Sequence, residues 1–166
     1  MPSSPAPSSD ADDIAARILA LPQVEVLHAD EASGAPPATW GDRFFYVGPD
    51  RRRPFATIIE HDYAGSDEES RLDRPGVFRL SMELGREEFA RLFGYPPAEF
   101  AGHRASVDFT ALDRVVPHPV YGGYAWACVL NPATGSRDEV DRLLGHAYER
   151  ALRRHQRSQD RQHRPE

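Results

Sequence analysis

The residue types best suited to chemistry gather late in the chain, at Asp108, Asp113, His118, Tyr121 and Trp126. An imidazole titrates near neutral pH, and a carboxylate beside it orients the ring. A histidine with an aspartate partner is therefore the minimum kit for general acid–base catalysis. His118 lies between Pro117 and Pro119, where a restricted backbone holds a side chain in place. The same placement serves a purely structural role, in which the imidazole bonds a neighbouring backbone group and shapes the turn. The candidate catalytic set, if the chain is an enzyme, is His118 with Asp108 or Asp113. Trp40 and Trp126, with Phe44, Phe45 and Tyr46, are able to line a pocket, although large aromatics also fill cores. Trp40, Asp42, His118, Tyr121 and Trp126 form the candidate ligand-binding set.

Other chemistries find little footing. Cys128, inside the apolar run YAWACVL, reads as a small buried hydrophobe, and no G-x-S-x-G elbow supplies an alternative nucleophile. Glu60-His61-Asp62 and His28-Ala29-Asp30-Glu31 are the tight clusters of metal-ligating types, and neither has recognised ligand spacing. With no phosphate-binding glycine loop either, no metal and no cofactor are expected. The acidic run Asp67-Glu68-Glu69 reads most simply as a solvated turn.

All 20 basic residues are arginine, and two groups stand out. Arg51, Arg52 and Arg53 form a run at a turn. Arg150, Arg154, Arg157 and Arg161 fall at helical spacings of three and four, with Arg153 alongside. Together they are able to grip phosphates, since guanidinium groups bond phosphate oxygens bidentately. The plainer reading is a solubilising surface. The net charge of −6 disfavours DNA as a partner and leaves only a local patch to bind it.

Several elements must position these residues. Ile14, Ile18 and Leu19 recur at helical spacing behind Asp10 and Asp12, which suit an N-cap, and Pro22 ends that helix. Residues 24–28, 43–47, 54–60, 76–83 and 124–130 read as strands, with the arginine run tipping a hairpin between the second and third. Phe89, Leu92 and Phe93 mark a short amphipathic helix, residues 97–107 read as irregular, and residues 109–115 as one or two helical turns. Ser136, with Glu139 three residues on, has the pattern of a capping box. Val140, Leu143, Leu144, Ala147, Tyr148, Ala151 and Leu152 then make a buried stripe. The expected fold is α+β: an antiparallel sheet of about five strands with the N- and C-terminal helices packed on one face. The expected organisation is a disordered lead-in over residues 1–9, one domain over 10–155 and a disordered arginine-rich tail over 156–166. A sheet face left bare by those helices would argue for a homodimer.

The stretch Trp40-Gly41-Asp42 with Phe44-Phe45-Tyr46, then Pro54-Phe55-Ala56-Thr57, then Arg74-Pro75-Gly76-Val77-Phe78-Arg79-Leu80, resembles an uncharacterised actinobacterial family, domain of unknown function 6194. The ending His118-Pro119-Val120-Tyr121, Trp126 and Val129-Leu130-Asn131-Pro132, followed by a helix with Ala147-Tyr148, resembles it too. More distantly, that ending is similar to the YjbR/MmcQ-like proteins, and this likeness implies a frataxin-like sandwich. Frataxins hold iron on an acidic first helix. Here Asp10, Asp12 and Asp13 all lie at the helix start, where capping accounts for them, so iron binding is not carried over.

At 166 residues, with 40% apolar and 28% charged residues, the chain has the size and balance of one globular domain. Its single cysteine excludes an internal disulfide. No apolar run approaches the roughly 18 residues of a membrane helix, and the first dozen residues lack the basic start and apolar stretch of a signal peptide. A cytoplasmic protein without a membrane partner is expected. The favoured function is a non-catalytic module that binds an unknown small molecule or protein. Nucleic-acid binding through Arg51–Arg53 and the C-terminal arginine stripe is the alternative, and His118 acid–base chemistry another.

Overall fold

The computed structural model describes residues 10–163; the expected lead-in over residues 1–9 and the last three residues of the tail lie outside them. Four α-helices and six strands follow one another along the described residues. They run α1 (Asp10–Leu19), β1 (Val24–His28), β2 (Arg43–Val47), β3 (Ala56–Ile59), β4 (Arg79–Glu83), α2 (Arg86–Phe93), α3 (Phe100–His103), β5 (Val115–Pro117), β6 (Trp126–Leu130) and α4 (Arg137–Gln162). The strands form one open sheet in the order β1-β2-β3-β4-β6-β5, with every neighbouring pair antiparallel. The fold is thus α+β. No helix among the described residues is long and apolar enough to cross a membrane.

Strand alternation sorts the sheet into two faces. Phe45, Ala56, Met82 and Ala127 stand opposite one another across four strands, and Ile58, Leu80 and Val129 form the next rung. These side chains share one core cluster with Ala11, Ile14, Ala15 and Ile18 of α1 and Val140, Leu143, Leu144, Ala147 and Ala151 of α4. The stripe read from the C-terminal sequence is the stripe that α4 buries. The reverse face carries Phe44, Thr57, Ser81 and Cys128 on one rung and Ile59, Arg79 and Leu130 on the next. It is not bare. Phe89, Phe100 and Phe109 cover its Val116–Cys128 end, and Leu72, Tyr63 and Val77 pack at Ile59 and Leu130. A concave gap remains between these two coverings.

Four local expectations are corrected. The sheet has six strands rather than about five, because Val115 and Val116 favour extended backbone and pair with β6. Residues 109–115 therefore do not form helical turns; Asp113 takes a left-handed φ of 56° and leads into β5. Residues 97–107 are ordered as short helical turns at Pro97–Glu99, Phe100–His103 and Arg104–Ser106. The fourth concerns the cap of α4. Ser136 occupies the N-cap position but makes no side-chain cap bond of its own. Asp113 does that work from across the sheet edge. Its carboxylate accepts from the amides of Ala133 (2.7 Å), Gly135 (3.0 Å) and Ser136 (3.0 Å) and from Ser136 Oγ (2.5 Å). Beyond the buried stripe α4 also continues past residue 155 to Gln162, carried by arginine and glutamine, which are good helix formers.

Candidate functional site

The gap in the reverse face is a bowl of about 360 Å³. Phe44 on β2 and Trp126 on β6 stand at its two sides, with Thr57 of β3 and Ser81 and Arg79 of β4 across the floor. Tyr63, Ser66 and Asp67 come from the loop after β3, and His118, Val120 and Tyr121 from the loop after β5. Three of the residues singled out in the sequence, His118, Tyr121 and Trp126, thus meet at one cavity. Trp40 does not join them; it is 42% exposed and donates its indole N–H to the Ala35 carbonyl at 2.8 Å.

The floor is built around a charge the sequence analysis passed over. Arg79 is 2% exposed, and its terminal nitrogens donate to Asp67 Oδ1 (2.9 Å), Asp67 Oδ2 (2.5 Å) and Ser70 Oγ (3.0 Å). Burial works against the guanidinium charge, and the hydrogen bonds and charge of Asp67 more than offset it, so Arg79 stays ionised. The acidic run is accordingly not a plain solvated turn. Asp67 clamps the loop to the floor, and Glu69 pairs with Arg104 at 2.5 Å. Arg104 also donates to the Pro119 carbonyl at 2.7 Å, which ties the acidic loop to the His118 loop along the rim. An arginine flanked by Phe78 and Leu80 in a strand was the available signal, because a charge in an apolar strand requires a partner.

His118 is 2% exposed, and its Nδ1 accepts from the amides of Val120 and Tyr121, each at 3.0 Å. Burial, with the nearby positive charge of Arg79, holds its pKa well below the usual imidazole value. The Tyr121 ring lies 4.9 Å from the imidazole and 6.5 Å from Trp126. The expected acid–base pair is not assembled. Asp108 is engaged with Thr110, accepting from its amide at 2.9 Å and its hydroxyl at 2.6 Å, and Asp113 caps α4. Hydrogen bonds from those partners hold both carboxyls below their ordinary range. Cys128 is sealed in the core, and burial pushes its thiol up to about 12, which removes it as a nucleophile near neutral pH. No group of three or more histidine, cysteine or acidic residues among the described residues is placed to hold a metal ion.

Asp42 lies fully buried beside the bowl. Neither carboxylate oxygen has a hydrogen-bond partner among the described residues, and His61 Nδ1 stands 3.4 Å away. Burial raises its pKa to about 7; Arg79 pulls the other way, and Glu60 and Asp67 add to the rise.

The two arginine groups meet elsewhere. Gly48, at φ 80°, brings its backbone against the His155 ring, so closely that a Cβ there would lie 2.4 Å from a ring carbon. The hairpin tip is thereby seated on α4. Arg52 and Arg53 then face Arg154, Arg157 and Arg161 along an open groove of about 780 Å³. Glu83 absorbs part of that charge, lying 2.6 Å from Arg154 and 3.6 Å from both Arg53 and Arg150. Arg51 and Arg153 are exposed and line neither cavity.

Comparison with known proteins places the chain in a family. Residues 9–160 match the model of DUF6194, a family of unknown function, and the chain belongs to it. No curated protein and no solved structure matches the chain. The more distant likeness to YjbR/MmcQ-like and frataxin-like proteins gains no support from these comparisons.

The buried Asp42 gives a pH dependence of definite sign. Its folded pKa of about 7 lies above the unfolded value of 3.8, so the folded state holds the proton more tightly. The stability this contributes is full below the unfolded value and is lost as pH rises through about 7. Asp42→Asn keeps the neutral shape and removes the titration. In urea unfolding, the variant should gain in midpoint relative to the parent between about pH 5 and about pH 8.

Proposed function

We propose that this protein is a non-catalytic binding module whose sheet-face bowl takes a small organic molecule. The observation that carries the reading is the bowl itself. It is a concave cavity walled by four aromatic side chains over a floor of polar groups, and its volume falls within the range of small-molecule sites. Catalytic equipment is sparse around it: the floor has an imidazole without a carboxylate and an arginine occupied by its own counter-ion, and the thiol of Cys128 is sealed in the core. Trp126 in the wall supplies a reporter. With Trp40→Phe removing the second indole, a panel of aromatic and heteroaromatic fragments should give at least one saturable change in Trp126 fluorescence. At about 100 times its dissociation constant, that fragment should raise Tm by about 5–10 °C. Tyr121→Ala, at a half-exposed position, should weaken binding with little change in Tm. A silent panel contradicts the reading, and so does steady turnover of any substrate that His118→Ala abolishes without loss of folding.

A second reading has its own observation, the convergence of Arg52 and Arg53 with Arg154, Arg157 and Arg161 on one groove. We propose it as a weaker site for the phosphate backbone of nucleic acid, since Glu83 compensates part of the charge and, among the described residues, no phenylalanine, tyrosine or tryptophan lines the groove for base stacking. Binding of a random-sequence duplex should fall steeply between about 50 and 200 mM salt, and Arg157→Gln with Arg161→Gln should lower the slope by about two. Absence of duplex binding at the lower salt, or an unchanged slope, contradicts it.

A further inference from the structure

The floor of the bowl holds more hydrogen-bonding capacity than the protein uses. Ser81 Oγ and Arg79 Nε have no partner among the described residues and are sealed beneath the surface. His118 differs from both. Its Nδ1 accepts two backbone N–H groups, and a ring nitrogen that does so carries no proton. In the neutral ring the proton therefore resides on Nε2. The opposite tautomer would set an N–H against two N–H donors. Nε2 makes no hydrogen bond among the described residues and, unlike Ser81 Oγ, is not sealed, on a side chain that lines the bowl. The backbone thus fixes one donor that has no partner among the described residues, on a side chain that lines the bowl.

Charge narrows what that donor meets. The terminal nitrogens of Arg79 are spent on Asp67 and Ser70, so the floor presents a neutralised pair and not a free cation. A ligand cation would be brought toward Arg79 in a cavity with mainly apolar walls. A ligand anion would compete with Asp67 for a guanidinium whose charge is already neutralised and whose free Nε is sealed. A neutral ligand meets neither cost. The walls add a shape: strand order sets Phe44 and Trp126 on opposite sides of the floor, and Tyr121 stands over His118. Flat ring systems suit such walls.

Resting on the bowl reading above, we infer that the bowl selects an uncharged, flat aromatic compound bearing a ring nitrogen or carbonyl oxygen, and that His118 Nε2–H donates to that atom. The bond is one of recognition, and no proton leaves the imidazole.

Four bicyclic probes separate the terms: quinoline, naphthalene, N-methylquinolinium and 2-naphthoate, titrated against Trp126 fluorescence in the Trp40→Phe protein at mildly alkaline pH, where quinoline is uncharged. Quinoline should bind about 10-fold more tightly than naphthalene, the ratio one buried neutral hydrogen bond supplies. Both ions should bind more weakly than quinoline. Removing a buried imidazole can unfold its loop, so the second readout leaves His118 in place. Proton–nitrogen NMR of the imidazole should show a protonated Nε2 and a bare Nδ1, with the Nε2 proton shifting on addition of quinoline and not of naphthalene. Equal affinity for quinoline and naphthalene would leave the bowl a binding site and overturn the donor. Tightest binding of either ion would overturn the charge argument, and a protonated Nδ1 the tautomer. If none of the four probes binds, the bowl reading itself fails.

Discussion

A single buried charge organises the reverse face of the sheet. Arg79 points from the first position of β4 into a region its neighbours make apolar, and an uncompensated guanidinium there would cost several kcal/mol, of order 3–5. The chain meets that demand with the loop after β3, which reaches over the sheet so that Asp67 and Ser70 can bond the terminal nitrogens. Once that loop is held down, Tyr63 and Ser66 form one rim of a bowl, and Glu69 is placed to engage Arg104. Arg104 in turn grips the Pro119 carbonyl and lies over the Phe100 and Phe109 rings, 5.5 and 5.4 Å from their centroids. The two loops that enclose the bowl are therefore joined through a network that begins at Arg79.

The same charge sets the chemistry around it. Behind burial, which is the larger cause in each case, Arg79 works against protonation of His118, favours the ionised form of Asp42 and opposes the rise of the Cys128 thiol. Near neutral pH the face consequently carries a neutral imidazole, an un-ionised thiol and a compensated ion pair. Of the titratable groups near Arg79, Asp42 alone is brought close to neutral pH. The opposite face has no comparable polarity. There α1 and α4 pack into a continuous apolar cluster, a rigid support for the strands that shape the bowl.

The amphipathic helices and five of the strands were legible because each announces itself within a dozen residues. The stripe from Val140 to Leu152 and the β-prone run Arg43–Val47 required no knowledge of partners. His118, Tyr121 and Trp126 were also legible as a group, since they are close in sequence. What stayed hidden depends on contacts between distant segments. Asp113 looked like a catalytic partner for a histidine five residues away, and instead it caps a helix through residues 133–136. Asp67 looked solvated because its partner lies 12 residues on, in a strand whose inward direction no local pattern reveals. Trp40 stands apart from the bowl for a related reason: its indole N–H bonds a carbonyl of its own turn. β5 was missed because three residues between a turn and a proline are too few for a periodicity.

The most direct test of this account is hydrogen exchange in Asp67→Asn, which keeps the side-chain shape and removes the counter-charge of Arg79. If the buried pair holds the loop to the sheet, amides over residues 62–72 should lose protection at least about tenfold more than those of β2 and α4, because local opening then precedes global unfolding. A uniform loss across the chain, or no change in that loop, would contradict the claim that the Arg79–Asp67 pair builds the bowl.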